Sequence, residues 1–353
     1  MTHIEQIQSA LAAHGLDAVV LFSDANTRWA SGFAFTDGAV AVRRDAAVLV
    51  TDSRYIEAAR AAAQGFDVLL YDAQHRLSAL LRDFLGGCAA IGAEAEGLPH
   101  ARWEAIGKAL GRDLRAADEL LSALRAVKSD AEVAAITAAQ RIAEQALTDT
   151  LPLLRPGVSE RAIAAHLTYR MLLLGGEGNS FDPITITGAN TSKPHGVPGD
   201  AVVRDGDFIT MDFGTVVDGY RSDMTRTVAV GHVTDEMRRV YETVLAAQSA
   251  GIARMDPAHT GADVHNAAAR VIADAGYGQY FGHGFGHSVG LEIHESPSAS
   301  PRNTQLLPVG AVITAEPGIY LPGRFGVRIE DMVRITADGP QNLTLAPKDL
   351  LIL

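Results

Sequence analysis

Asp212 and Asp223 lie in DFITMDFGTVVDGYRSDMTRTVAV, residues 207 to 230, at a spacing that lets two carboxylates meet. Asp218-Gly219 between two apolar-rich runs is a hairpin signal, because both central residues of a type I′ turn need positive φ. With these two as the loop, Gly214 faces Asp223 and Asp212 faces Thr225. Side chains alternate with period two along a strand, so Asp212, Gly214 and Asp223 share one face. The two aspartates are then diagonal neighbours about 7–8 Å apart between backbones, within reach of one shared centre. Like charges on one ribbon face need either solvent or a bound cation. The ribbon alone leaves both open.

The C-terminal third adds more ligand-type residues. Between Gly282 and Glu295, GHGFGHSVGLEIHE holds His283, His287 and His294 among glycines that leave backbone room for a close approach. A lone strand histidine is usually structural; three in this setting point to a site. Further on, AVITAEPGIYLPGRFGVRIEDMV folds symmetrically about Gly323, which sets Glu316 opposite Glu330. Ile329, Met332 and Val333 mark this ribbon as buried, where paired carboxylates are costly unless they bind a cation or share a proton. Four carboxylates with imidazole suit two divalent first-row ions held about 3.5–4 Å apart, such as Mn, Co, Fe or Zn. Calcium would use carbonyl oxygens and no histidine, and structural zinc would use thiolates.

The elements that position these residues occupy a 353-residue chain, 47% hydrophobic, which is long enough for two domains. A formal charge of −12 argues against affinity for nucleic acid or anionic membranes. The one cysteine, Cys88, excludes an intramolecular disulfide and reads as packing. The N-terminal sequence has no signal-peptide pattern, and no run approaches the roughly 18 apolar residues of a membrane span, so a cytoplasmic protein is expected. Helix 3–14, strand 16–22, a hairpin over 39–50, helix 53–64, strand 67–70, helix 73–84, strand 89–93 and helix 100–110 predict an α/β domain. Trp29, in NTRWASGF, is placed on a loop, either packing or touching substrate or a partner subunit; His75 and His100 read as surface. Ser129 with Glu132 forms a capping-box pattern that starts a new helix. The expected division is an α/β domain over 1–124 and an α+β domain over 125–353.

The chain resembles the pita-bread-fold metallopeptidases of the aminopeptidase P and prolidase branch. MDFGTVVDGYRSDMTRT, GHGFGHSVGLEIHE, AEPGIY and VRIED carry the resemblance, together with FDPITITGANTSKPHG and, more weakly, the N-terminal domain and the LRAVKSDAEV junction. It implies a creatinase-like N-terminal domain ahead of a pita-bread catalytic domain. It also implies that Asp212, Asp223, His287, Glu316 and Glu330 hold two divalent ions, manganese first among the candidates, with Asp223 and Glu330 bridging. By the same resemblance His195 and His294 hold substrate and the charge on the scissile carbonyl, and His283 contacts the residue after the scissile bond. Arg328 supports the site; its spacing from Glu330 also puts it on the same face.

The implied activity is hydrolysis of the bond between an N-terminal residue and a following proline, with Glu316 carrying a proton to the leaving nitrogen. A peptide with proline at its second position is the expected substrate and a homodimer the expected assembly. NTRWASGF departs from the tyrosine- or leucine-containing run common in relatives, so no substrate-length subtype carries over. Dipeptides, as for a prolidase, and longer peptides, as for aminopeptidase P, both stay open. A lyase or metal-free amidinohydrolase on the same scaffold and a silent binding module are the rivals. The intact ligand set argues against the last two, and the large N-terminal domain against a methionine aminopeptidase.

Overall fold

The computed structural model describes residues 1–353 and divides into two units, Met1–Arg125 and Ala126–Leu353. In the first unit, strands β1 (Ala18–Leu21), β2 (Gly38–Arg43), β3 (Ala47–Thr51), β4 (Asp67–Leu70), β5 (Ile91–Ala93) and β6 (Leu114–Ala116) form one sheet in the order β4-β3-β2-β1-β5-β6. The β1-β2-β3 steps are antiparallel and the outer pairings parallel. The helices are α1 (His3–Leu11), α2 (Asp24–Ser31), α3 (Ile56–Ala62), α4 (Leu77–Leu85), α5 (His100–Leu110) and α6 (Asp118–Ala126). Leu81, Leu85 and Leu110 pack with Val20, Val48, Val50 and Ile91 in the core, and Cys88 is buried there.

Two local expectations are corrected here. Trp29 lies on helix α2, not on a loop: Ser23 caps the helix by accepting from Asn26 N, and Gly32 ends it in the left-handed region. Trp29 is buried and stacks on His3 at 4.3 Å between ring centroids. The helix was illegible because Asp24–Ser31 has almost no apolar stripe and is rich in weak helix formers. Helix α4 starts at Leu77 and not at 73, because the Asp72 carboxylate accepts from the amides of Gln74 and His75 and turns the chain there.

In the second unit, helix α7 (Asp130–Thr150) starts at the Ser129–Glu132 capping box, and α8 (Glu160–Leu173) follows. Strands β7 (Ile184–Thr187), β8 (Phe208–Phe213), β9 (Val216–Val217), β10 (Tyr220–Arg221) and β11 (Met224–Ala229) come next, then helices α9 (Asp235–Ile252) and α10 (Gly261–Asp274). The chain continues through β12 (Gly286–Ser288), β13 (Glu295–Ala299), β14 (Val312–Ala315), β15 (Gly318–Leu321), β16 (Phe325–Arg328), β17 (Asp331–Thr336) and β18 (Gly339–Asn342). These strands make sheets ordered β11-β8-β7 and β13-β12-β14-β17-β18, with β9-β10 and β15-β16 as two-stranded ribbons. No helix is long and apolar enough to cross a membrane.

The turn between β9 and β10 is the one the Asp-Gly pair predicts: Asp218 has φ 49° and Gly219 φ 76°. The register follows, with Asp212 opposite Thr225. Period two then separates two environments. Ile209, Met211 and Phe213 of β8, with Met224 and Val228 of β11, join Ala143, Leu147, Ile163 and Leu167 of α7 and α8 in one core. Asp212, Thr225 and Thr227 turn to the other face. A second core, of Val240, Val244, Val264 and Ala268 from α9 and α10 with Ile313, Val333 and Ile319, supports the strands that flank Glu316 and Glu330.

A candidate dinuclear metal site

The ribbon around Gly323 keeps one register through both of its halves: Gly318 pairs with Arg328, and Ala315 with Asp331. Between the halves, at Glu316 and Glu330, the ladder opens. Glu316 N donates to Phe285 O at 2.8 Å, and Glu330 N donates to Thr225 O at 3.1 Å. Each glutamate is therefore tied by its backbone to a different neighbour, one next to β12 and the other on β11. That exchange of partners gathers three sequence-distant segments at one point.

Asp212, Asp223, His283, His287, His294, His195, Glu316, Arg328 and Glu330, all predicted site residues, line a single cleft of about 610 Å³. Within it Asp223, His287 and Glu330 offer ligand atoms that all lie within 4.8 Å of one another. His287 Nε2 is 3.6 Å from Asp223 Oδ2 and 3.3 Å from Glu316 Oε1. The other ring nitrogen, Nδ1, meets Ser288 O at 3.1 Å and must donate, since a carbonyl only accepts. In the neutral ring that leaves a lone pair on Nε2, the arrangement a metal-ligating histidine needs. Close packing helps: a Cβ on Gly286 would lie 1.9 Å from Thr314 O, so β12 and β14 approach here as only glycine allows.

Burial dominates the electrostatics. It pushes the Asp223 and Glu330 carboxyls well above their usual range, and repulsion adds to it, from Asp212 on Asp223 and from Asp223 on Glu330. Asp212 is also raised by burial, against the pull of Arg328. At Glu316 burial is outweighed by the hydrogen bond and charge of His287, which hold it at about 2. The same contact outweighs burial at His287 and lifts it to about 9. Burial lowers His283 and His294 below the ordinary histidine value.

Asp212 Oδ1, Asp223 Oδ1 and Glu330 Oε1 are buried and have no hydrogen-bond partner. Leaving three such oxygens unsatisfied would be costly, and an oxygen-rich set with one imidazole is the donor chemistry of a hard or borderline divalent ion. The residues present fit such a metal.

Sequence reasoning missed the supports of this cluster. Thr225 Oγ1 donates to Glu330 Oε2 at 2.7 Å and accepts from Arg328 Nε at 3.0 Å. Thr314 Oγ1 donates to Glu316 Oε1 and accepts from His287 N, both at 3.0 Å. Tyr320 accepts from Arg328 Nη1 at 3.0 Å and meets His283 Nε2 at 3.0 Å. His283 Nδ1 faces Gly284 O, so in the neutral ring Nε2 accepts from the Tyr320 hydroxyl. Thr225 could have been found from its register opposite Asp212, and Tyr320 from its place within AEPGIY. Arg43, Arg44 and Arg54 of the first unit pair with Asp45, Asp17 and with Asp37 and Asp52.

Residues 134–337 match the model of metallopeptidase family M24, and residues 3–127 match that of the creatinase/prolidase N-terminal domain. An uncharacterized peptidase, YqhT, of Bacillus subtilis is 36% identical over 353 residues, 99% of each chain. The structure of an Xaa-Pro dipeptidase from Bacillus anthracis superposes with a TM-score of 0.96 at 35% identity, covering 99% of both chains. That of an X-Pro aminopeptidase from Thermotoga maritima does so with 0.91 at 34% identity, covering 100% of both.

Proposed function

The chain belongs to metallopeptidase family M24, and from that premise we propose that it is a metal-dependent peptidase cleaving the bond between an N-terminal residue and a following proline. One observation carries the reading. Three buried, unpartnered carboxylate oxygens sit in the cleft that His287 Nε2 faces. Asp212, Asp223, His287, Glu316 and Glu330 would hold two divalent ions, with manganese as the proposed metal. When bound, the ions supply Lewis acidity to the scissile carbonyl and make water nucleophilic near neutral pH.

The protein's own residues do the rest. Glu316, held by Thr314, would accept the proton from water and pass it to the leaving proline nitrogen. His195 and His294 would donate to the carbonyl oxygen as charge develops there. His283, whose charged form burial disfavours, is edge-on to Phe281 at 5.1 Å and hydrogen-bonded to Tyr320, and would pack against the proline ring. Pro183, Ile184, Val197 and Ile293 add apolar wall to the same cleft, which suits an imino ring better than a charged side chain. We include in the proposal a homodimer working in the cytoplasm.

For substrate length we favour peptides that continue beyond proline. The one guanidinium lining the cleft, Arg328, is engaged by Asp212, Tyr320, Thr225 and Pro194 O. A dipeptide presents a free carboxylate directly after proline and ordinarily needs a positioned arginine. The dipeptidase reading rests on a different observation, the likeness to a protein named Xaa-Pro dipeptidase over 99% of both chains. The activity is tested with X-Pro-Y and X-Ala-Y peptides that share flanking residues. The proline series should be preferred by at least about a hundredfold in kcat/KM, about 2.7 kcal/mol; equal rates would refute the assignment.

A further inference from the structure

His294 reaches the cleft on the loop 289–294, between β12 and β13, and its imidazole makes no hydrogen bond of its own to the protein. Its ring is 4.4 Å from that of His287, edge to face. Its position therefore depends on the loop backbone. Three anchors hold that backbone. Val289 N donates to Val312 O at 3.1 Å, which fixes the entry. Arg221 holds the middle, its amide donating to Gly290 O at 2.8 Å and its Nε to Leu291 O at 3.0 Å. The exit is held by Glu295, the residue after His294, whose Oε1 accepts from Glu292 N at 3.1 Å.

Glu295 is not an ordinary loop carboxylate. Its Oε2 is 3.0 Å from Lys128 Nζ, and the two side chains are only 6% and 1% exposed. A Cβ on Gly290 would lie 2.5 Å from that oxygen, so the carboxylate is tucked directly beneath the loop. Lys128 is itself anchored away from the cleft, its amide donating to Gly310 O at 3.0 Å. A buried ion pair is weak evidence for stability, because desolvation offsets the attraction, and its better-attested use is to specify one arrangement. Removing the cation would take from this buried carboxylate the charge 3.0 Å from its Oε2, and a shift of the carboxylate would carry with it the short loop that Oε1 holds through Glu292 N.

We propose that Lys128 is a positioning residue for His294, acting through Glu295 to fix the loop that presents the imidazole to the cleft. The kinetic part of the test rests on the X-Pro reading; the spectroscopic part does not. With 13C-labelled histidine, the His294 ring signal is identified by its loss in His294→Ala. It should shift in Lys128→Met, return toward its wild-type position in Lys128→Arg, and do so while the signals of His75 and His100 stay in place. In Lys128→Met, kcat on an X-Pro peptide should fall about tenfold to a hundredfold with bound metal unchanged by elemental analysis. Added to His294→Ala, the same substitution should cost nothing further. An unmoved His294 signal, or an equal loss of kcat in both backgrounds, overturns the proposal. Should Lys128→Met fail to fold, Glu295→Gln, which keeps the shape and one acceptor, is read by the same criteria. A shifted His294 signal in a protein whose wild type leaves X-Pro peptides intact would sink the substrate assignment and leave the positioning role standing.

Discussion

Arg328 Nη2 donates to Asp212 Oδ2 at 2.6 Å, so one of the clustered acids carries a cation of its own before any metal is considered. The same guanidinium serves Tyr320 and Thr225, and Arg328 is 3% exposed. Replacing it with methionine leaves a buried carboxylate without its partner, which should cost about 3–5 kcal/mol. Lysine keeps the charge but cannot reach three partners at once. Urea unfolding of Arg328→Met should show the larger loss of stability, and Arg328→Lys a smaller one with kcat reduced. A wild-type midpoint for Arg328→Met would mean that Asp212 does not depend on this contact.

Metal removal should act on stability as well as on turnover. Exhaustive chelation is expected to abolish hydrolysis of X-Pro peptides, and added Mn or Co to restore it. Since the metal binds the folded chain, reloading should also raise Tm in a concentration-dependent way. Asp223→Ala and Glu330→Ala should lose metal, whereas His294→Ala should keep most of it and turn over slowly. Full activity in a preparation free of transition metal by elemental analysis would end the dinuclear reading.

Substrate length separates the two X-Pro activities. kcat/KM for an X-Pro dipeptide, compared with X-Pro-Y and longer peptides of the same first residue, should favour the longer chains. A dipeptide preferred by about tenfold or more, roughly 1.4 kcal/mol of transition-state binding, would make this a prolidase.

Gly286 tests how closely the sheet must close around the site. A methyl there meets Thr314 O at 1.9 Å, a backbone atom that cannot swing aside. Gly286→Ala should separate β12 from β14 and carry His287 away from Glu316. A stability loss of about 1–3 kcal/mol is expected, with metal affinity reduced further than global stability explains. Unchanged metal binding by titration would show that the two strands can part without disturbing the ligands.

Much of this protein is determined by short-range rules that can be read along the chain. Asp218-Gly219 selects a turn, the turn selects a register, and period two then puts Asp212 on the polar face and Met211 in the core. The register about Gly323 follows the same logic, as does the start of α7 at Ser129. Each rests on a local steric or hydrogen-bonding preference that no distant residue needs to complete. Tertiary structure decided the rest. Nothing local announces that the ladder opens at Glu316 and Glu330, because their amides are taken by Phe285 and Thr225, residues that reach them only after the sheets pack. Tyr320 looks like one more strand aromatic until His283 and Arg328 converge on its hydroxyl. Trp29 sits on a helix and not on the expected loop because that helix is held by a cap and by His3, not by an apolar stripe. Lys128 and Glu295 both fall in stretches that carry the resemblance, LRAVKSDAEV and GHGFGHSVGLEIHE, but nothing local pairs them, and the fold alone brings the two charges together in the dry interior beneath His294.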